Sequence, residues 1–205
     1  LPLGKCVDAS ACLAADERWG LIGSHDKLVV RFDVATGDVK WQQRVGDAGS
    51  QADVLEDASV EASCVLSADE ATAYVGCYDG CLYALDAASG AIRWTLACDG
   101  PVKRAAAVLG DGDIIFGSHD GRVRRATPAG ALVWRSPHLG GAVYASPRPV
   151  GSLILAATTS GGLYGLDARS GEINWRYGVG GAPLVARPED SAGVVFYGDV
   201  PGAVH

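Results

Sequence analysis

The chain of 205 residues contains no methionine and a single asparagine, Asn174, and its six cysteines include neither a Cys-x-x-Cys pair nor two adjacent cysteines. Without such pairs or a regular disulfide spacing, Cys6, Cys12, Cys64, Cys77, Cys81 and Cys98 are expected as reduced thiols, which points to a cytosolic setting rather than a secreted one. No apolar run approaches the ~20 residues that span a bilayer, and the N-terminus lacks the charged, apolar and small-residue sequence of a signal peptide. The sequence therefore reads as soluble. Positive charge is also scarce: 17 Lys and Arg stand against 24 Asp and Glu, a formal charge of -7 with a pI near 5.0. That balance argues against partners such as a nucleic-acid backbone or an anionic membrane surface. A chain that opens on Leu1 and holds no methionine is expected to be cut from a longer polypeptide.

What is present is a repeat. Four segments align: Leu21 to Trp41, Tyr74 to Trp94, Ile115 to Trp134 and Leu155 to Trp175. A fifth begins at Phe196. The tryptophans at 41, 94, 134 and 175 are spaced by 53, 40 and 41 residues, and the surplus of the first gap lies in a Gly, Ala, Asp and Ser-rich loop, Gly46 to Ala58. These periods divide the chain into blade 1 (about 6–46), an insertion loop (46–58), blade 2 (about 59–100), blade 3 (about 101–141), blade 4 (about 142–181) and a partial blade 5 (about 182–205).

Each unit reads as four short strands. In the second, Ala62 to Leu66 opens, Ala73 to Cys77 follows with strand-forming content, and Cys81 to Asp86 is the third. A two-residue hairpin at Asp79-Gly80 is expected between the second and third strands, which leaves Cys77 and Cys81 one cross-strand step apart. The third strand runs into an Asp-x-x-Ser/Thr-Gly turn. Asp33 with Gly37, Asp86 with Gly90 and Asp167 with Gly171 repeat it; the acid accepts hydrogen bonds from the turn amides while glycine relieves the reversal. In the third unit Thr127-Pro128-Ala129-Gly130 is one residue shorter and has no acid, so that turn is expected to be built differently.

Apolar residues fall on both faces of the strands, as Leu82 and Ala84 oppose Tyr83 and Leu85, so a single four-stranded sheet cannot satisfy them. Radial stacking does, because each face then meets a neighbouring sheet. Trp41, Trp94, Trp134 and Trp175 are expected as wedges between blades, each burying ~200 Å² worth up to roughly 5 kcal/mol. The fold class is all-β, a β-propeller of four-stranded antiparallel blades with tryptophan-docking repeats. Because the fifth unit stops at His205, the ring in this chain is expected to be incomplete, part of a seven- or eight-bladed whole.

The pattern Asp-x-x-Thr/Ser-Gly-x-x-x-Trp preceded by Gly-x-x-Asp-Gly resembles the tryptophan-docking repeat of the pyrroloquinoline-quinone propeller superfamily. The opening Leu1 to Ser10, followed by IGSHD, VGCYDG and FGSHDG, further resembles the C-terminal propeller of β-alanine-activating enzymes, also called acyl-CoA synthetase family member 4. That resemblance implies a non-catalytic propeller preceded, in the parent, by an adenylate-forming domain and a phosphopantetheine carrier domain. ATP and phosphopantetheine would then be cofactors of the parent, with none in this segment, and the partners would be the parent's own domains or another protein. Its glycine runs at Gly110 to Asp113 and Gly178 to Gly181 lack the following helical periodicity of a phosphate loop and read as turns.

True quinoprotein dehydrogenases carry an adjacent-cysteine ring, an acidic base and a metal ion. None of these motifs is found in this sequence, so quinone-dependent catalysis is the alternative rather than the main reading, and a stand-alone assembly scaffold is a third. A quinoprotein would place the chain in the periplasm or outside the cell, against the cytoplasmic address of the main reading. His25 and His119 share one GSHD turn, which argues for turn architecture over a metal site, since zinc needs further ligands converging at ~2 Å. The local oddity is basic: Lys103, Arg104, Arg122, Arg124, Arg125 and Arg135 fall in one unit. Arg122 and Arg124 share a strand face and are candidates to hold a carboxylate or phosphate, such as a carrier arm, although a solvated edge paired with local Asp residues is the plainer expectation.

Overall fold

The computed structural model describes residues 4, 6–48, 59–178, 182–191 and 194–196. The first sheet holds β1 (Cys12–Leu13), β2 (Trp19–Gly23), β3 (Leu28–Asp33) and β4 (Val39–Arg44) in that order. The second repeats the order with β5 (Val65–Leu66), β6 (Thr72–Gly76), β7 (Cys81–Asp86) and β8 (Ile92–Ala97). A third comprises β9 (Ala107–Val108), β10 (Ile114–Ser118), β11 (Arg122–Ala126) and β12 (Leu132–Arg135). The fourth contains β13 (Arg148–Val150), β14 (Leu153–Ala157), β15 (Gly162–Asp167) and β16 (Ile173–Gly178), and β17 (Glu189–Ser191) pairs with β18 (Val194–Phe196). Consecutive strands pair antiparallel, as in β2 with β3, β6 with β7, β10 with β11 and β14 with β15. Of the surplus loop, residues 49–58 lie outside the described residues, as does most of the fifth repeat.

One irregularity recurs in all four of the four-stranded sheets. The third and fourth strands shift register by a bulge at Arg31/Phe32, Ala84/Leu85, Arg125/Ala126 and Gly165/Leu166. A bulge re-aims the side chains beside it. Here it sets Trp41 opposite Arg31, Trp94 opposite Ala84, Trp134 opposite Arg125 and Trp175 opposite Gly165.

The expected two-residue hairpin is corrected. Cys77 N–H donates to Cys81 O at 2.9 Å and Gly80 N–H to Cys77 O at 3.2 Å, so three residues, Tyr78 to Gly80, make the turn. Gly80 has φ 90°, the left-handed residue that closes a three-residue hairpin loop. Cys77 and Cys81 consequently face each other across the strands rather than being offset. The first sheet builds the same turn with Lys27 at φ 66° in the glycine position.

The chain divides into two compact units, Leu1–Val108 and Leu109–His205. In the first, Leu21, Val29 and Val45 pack with Val75, Cys77, Tyr83 and Leu85 of the second sheet. In the second, Ile115, Val123 and Trp134 pack with Ile154, Ala156, Tyr164 and Leu166. Strands β6, β10 and most of β7 and β14 are buried, while β8, β12 and β16 are mostly exposed. Two-faced burial of the inner strands is what their unbroken apolar sequence requires.

Candidate functional site

Two of the four tryptophans show how sheet is held to sheet. Trp41 donates Nε1–H to the carbonyl of Ala87 at 3.1 Å, and a Cβ on Gly90 would sit 2.7 Å from Trp41 Cε3. Trp134 does the same one unit later: Nε1–H to Ala168 O at 3.1 Å, with a Gly171 Cβ 2.5 Å from Cε3. Each indole therefore lies flat on the Asp-x-x-Ser-Gly turn of the next sheet, where only glycine leaves room. Arginine reinforces the contact in the same sheets. Arg31 Nη1 donates to Ala87 O at 3.1 Å, and Arg125 Nη1 to Ala168 O at 2.7 Å, so one turn carbonyl accepts from both an indole and a guanidinium. Arg31 also stacks 4.1 Å over Trp19.

Trp94 tilts against Tyr74 of its own sheet with centroids 5.9 Å apart. Trp175 is 36% exposed and lies over Gly165 of its own sheet, and no docking turn stands over it among the described residues. Return contacts run in the opposite direction from tyrosines. Tyr83 Oη receives Gly46 N–H at 3.0 Å and donates to Asp79 Oδ2, and Tyr164 Oη donates to Leu139 O. Burial and the Asp79 carboxylate push the Tyr83 phenol well above its usual range.

The turn acids behave as their spacing predicts. Asp33 Oδ1 accepts from the amides of Ala35 and Thr36, both at 3.0 Å, and Asp86 and Asp167 accept from the equivalent amides. The Arg93 guanidinium, 2.7 Å away, and the Ser89 amide hold the Asp86 carboxyl far below the usual carboxylate range. Asp33 and Asp167 are lowered chiefly by the amides of Thr36 and Ser170. In the third sheet Gly130, at φ 86°, closes a shorter turn in which Thr127 Oγ1 takes the acid's place and accepts Ala131 N–H at 3.2 Å.

Three arginines of the basic group, Arg122, Arg124 and Arg125, are engaged within the chain, while Arg135 is exposed at the end of β12. Arg124 is 3% exposed and grips Asp120 with both terminal nitrogens. Arg125 binds Asp113 at 2.7 Å and Asp111 at 2.5 Å. Arg122 donates to Ser136 O at 2.8 Å. The paired presentation of Arg122 and Arg124 to an outside anion is thereby corrected: a carboxylate four residues upstream occupies Arg124. Lys103 lies in the first unit, 4.0 Å over the Tyr78 ring and 3.9 Å from Glu61, its ammonium lowered mainly by desolvation. Arg104 is half-buried beside it.

Backbone register reveals a position that sequence alone did not align. The segment leading into each sheet hydrogen-bonds the β2–β3-type turn: His25 N–H to Cys6 O and Tyr78 N–H to Ser59 O, both at 3.0 Å. Val60, Val102 and Val143 amides donate back to Ser24, Cys77 and Ser118 carbonyls. This equates Asp8, Glu61, Lys103 and Tyr144 in the lead-ins, and His25, Tyr78 and His119 in the turns. The turn residue meets the following lead-in each time. His25 faces Glu61, Tyr78 carries Lys103, and His119 stacks on Tyr144 at 5.5 Å. In the first unit these side chains join into a line, Asp8, His25, Glu61, Lys103, Tyr78, with His25 Nε2 3.0 Å from Asp8 Oδ2. His25 was visible in the sequence, whereas Asp8 and Glu61 carry a signal only once Cys6-Val7-Asp8 is set against Ser59-Val60-Glu61.

With this geometry in place, comparison with known proteins is informative. A family model described as "Beta-alanine-activating enzyme, beta-propeller" matches residues 3–205. The chain belongs to that family. It is also 28% identical over 174 residues to the outer membrane protein assembly factor BamB of Yersinia pestis, covering 78% of this chain and 41% of that protein. A BamB of Nitrosomonas eutropha is 29% identical over 119 residues, 58% of this chain and 29% of its own length. The chain thus spans less than half the length of these relatives. Among solved structures, BamB from Moraxella catarrhalis superposes with a TM-score of 0.75 at 20% identity, covering 96% of this chain and 56% of that one. The computationally designed Ika8 protein gives 0.76 at 15%, covering 95% and 56%. The sheets are therefore blades of a β-propeller, and at these identities the structural likeness speaks for fold alone.

Proposed function

We propose that this chain is a non-catalytic propeller module that holds another protein, a scaffold of the kind the assembly-factor relatives are named for. Similarity to the Yersinia pestis assembly factor over 78% of the chain carries the reading. The internal chemistry supports it, since Trp41, Trp134, Arg31 and Arg125 bond to the next sheet's turn while the turn acids close their own turns, and turns on a rigid frame supply recognition. On this reading the protein acts in the cell envelope and its partner is a polypeptide.

The family match over residues 3–205 favours a second reading, the propeller region of an adenylate-forming, β-alanine-activating parent in the cytosol. ATP and phosphopantetheine then belong to the parent's other domains, and those domains are the partners. Arg135, exposed at the end of β12, would be the natural contact for an acidic carrier domain.

Affinity capture with the natural full-length protein, run separately on envelope and soluble fractions of its own cells, separates the readings. A scaffold is recovered from the envelope with a stoichiometric polypeptide partner and without β-alanine-dependent ATP–pyrophosphate exchange. Recovery in the soluble fraction with that exchange activity favours the second reading. Saturable quinone binding seen by absorbance, with substrate oxidation, would overturn both.

A further inference from the structure

We propose that Asp8, His25 and Glu61 form a binding site for one divalent transition-metal ion of the zinc class, which staples the N-terminal lead-in and the lead-in of the second blade to the first blade's turn. The inference is independent of which scaffold reading holds. The three side chains offer one imidazole nitrogen and two carboxylate oxygens that all lie within 4.8 Å of one another, and His25 Nε2 is 3.0 Å from Asp8 Oδ2. Among the described residues this is the one group of three such ligands that converges.

Zinc bonded at about 2.0–2.2 Å to nitrogen and oxygen needs ligand atoms about 3.3 Å apart in a tetrahedron. Asp8 and His25 already stand near that spacing, and a rotation of the Glu61 side chain closes the rest. A nitrogen with two carboxylates suits zinc and its neighbours better than calcium, which takes six to eight oxygens. The fourth position is open to water.

The backbone prepares the site. Cys6 O accepts His25 N–H at 3.0 Å, Asp26 Oδ2 accepts Gly4 N–H at 2.9 Å, and Ser24 O accepts Val60 N–H at 3.1 Å, so both lead-ins are tied to the turn before any ion arrives. Blade periodicity makes the site singular. At the equivalent place in the second blade the Tyr78 ring carries Lys103, and in the third His119 meets Tyr144, neither of which assembles this donor set. Among the described residues, only the first turn has an imidazole with acids on both sides. Lys103, 3.9 Å from Glu61, is the local competitor for that carboxylate.

Isothermal titration of the purified, reduced protein with zinc tests the site, with cobalt absorption reporting the ligand type. The expected result is one equivalent bound, a cobalt spectrum without thiolate charge-transfer bands, and a melting temperature raised by zinc and restored by chelator. His25→Ala, Glu61→Gln and Asp8→Asn, each checked by circular dichroism to be folded, should each weaken binding at least about tenfold. Lys103→Met should tighten binding about fivefold by removing a charge that competes for Glu61. Absence of saturable binding, thiolate bands in the cobalt spectrum, or affinity unchanged in folded His25→Ala and Asp8→Asn would overturn the proposal.

Discussion

At Gly37, Gly90 and Gly171 one turn places glycine at φ 74°, 79° and 75°, yet the three positions are not equivalent. A Cβ at Gly37 meets nothing within 4 Å, whereas at Gly90 and Gly171 it meets an indole. Gly37→Ala should therefore cost only the left-handed strain, ~1 kcal/mol, while Gly90→Ala should cost ~3 kcal/mol in urea denaturation because Trp41 must also move. Equal costs would mean the indole does not rest on the turn. The turn acids make a second residue-scale test. Asp86 has a folded-state pKa held below its unfolded value near 3.9, so its stabilising effect is present above that pH and is lost as the pH falls through the folded value. Asp86→Asn should lower the melting temperature at pH 7, and the gap to the parent protein should shrink progressively below pH ~4. A gap that stays constant with pH would rule out a charge effect. Thiols follow burial: desolvation pushes Cys64 and Cys81 up to about 12, and Cys77 is raised further, whereas Cys6 is exposed. Native alkylation read by mass spectrometry should label Cys6 first and leave Cys64, Cys77 and Cys81 unmodified until unfolding.

Within single elements, the arginine-rich β11 was the part of the sequence most open to misreading. Three arginines in Arg122–Ala126 suggest an anion site, but Asp120 at the turn and Asp111 and Asp113 in the preceding loop occupy Arg124 and Arg125. Which acid meets which arginine depends on hairpin register, and the three-residue turn that sets this register was expected one residue shorter. Because Arg124 is buried, Asp120→Asn should destabilise by about 3 kcal/mol or more, the cost of leaving an unpaired guanidinium inside. A loss of under 1 kcal/mol in chemical denaturation would show that water reaches the pair. The strand pattern itself was legible, since Cys81 to Asp86 forms β7 as read and the tryptophans recur in register. The bulge beside each tryptophan was not, for it arises from pairing and leaves no composition signal.

Across the whole molecule the architecture follows from period, and the site does not. Blades repeat at ~41 residues because each sheet must bury both faces, and that requirement is written in every inner strand. The line Asp8, His25, Glu61, Lys103 and Tyr78 is assembled from lead-ins and turns far apart in sequence, so only backbone hydrogen bonds align it. A second periodicity, of two blades, also emerged: arginine reinforces the indole in blades 1 and 3, at Arg31 and Arg125, where blades 2 and 4 carry Ala84 and Gly165. The central claim is that Trp41 and Trp134 bear on the next blade's turn and thereby hold blade to blade. A double-mutant cycle on Trp134 and Gly171 measures this directly. Trp134→Ala alone should cost ~3–5 kcal/mol, and Gly171→Ala, costly in the parent protein, should fall to the ~1 kcal/mol of simple turn strain once the indole is gone, a coupling of about 2 kcal/mol. Additive losses, with no coupling, would contradict the account.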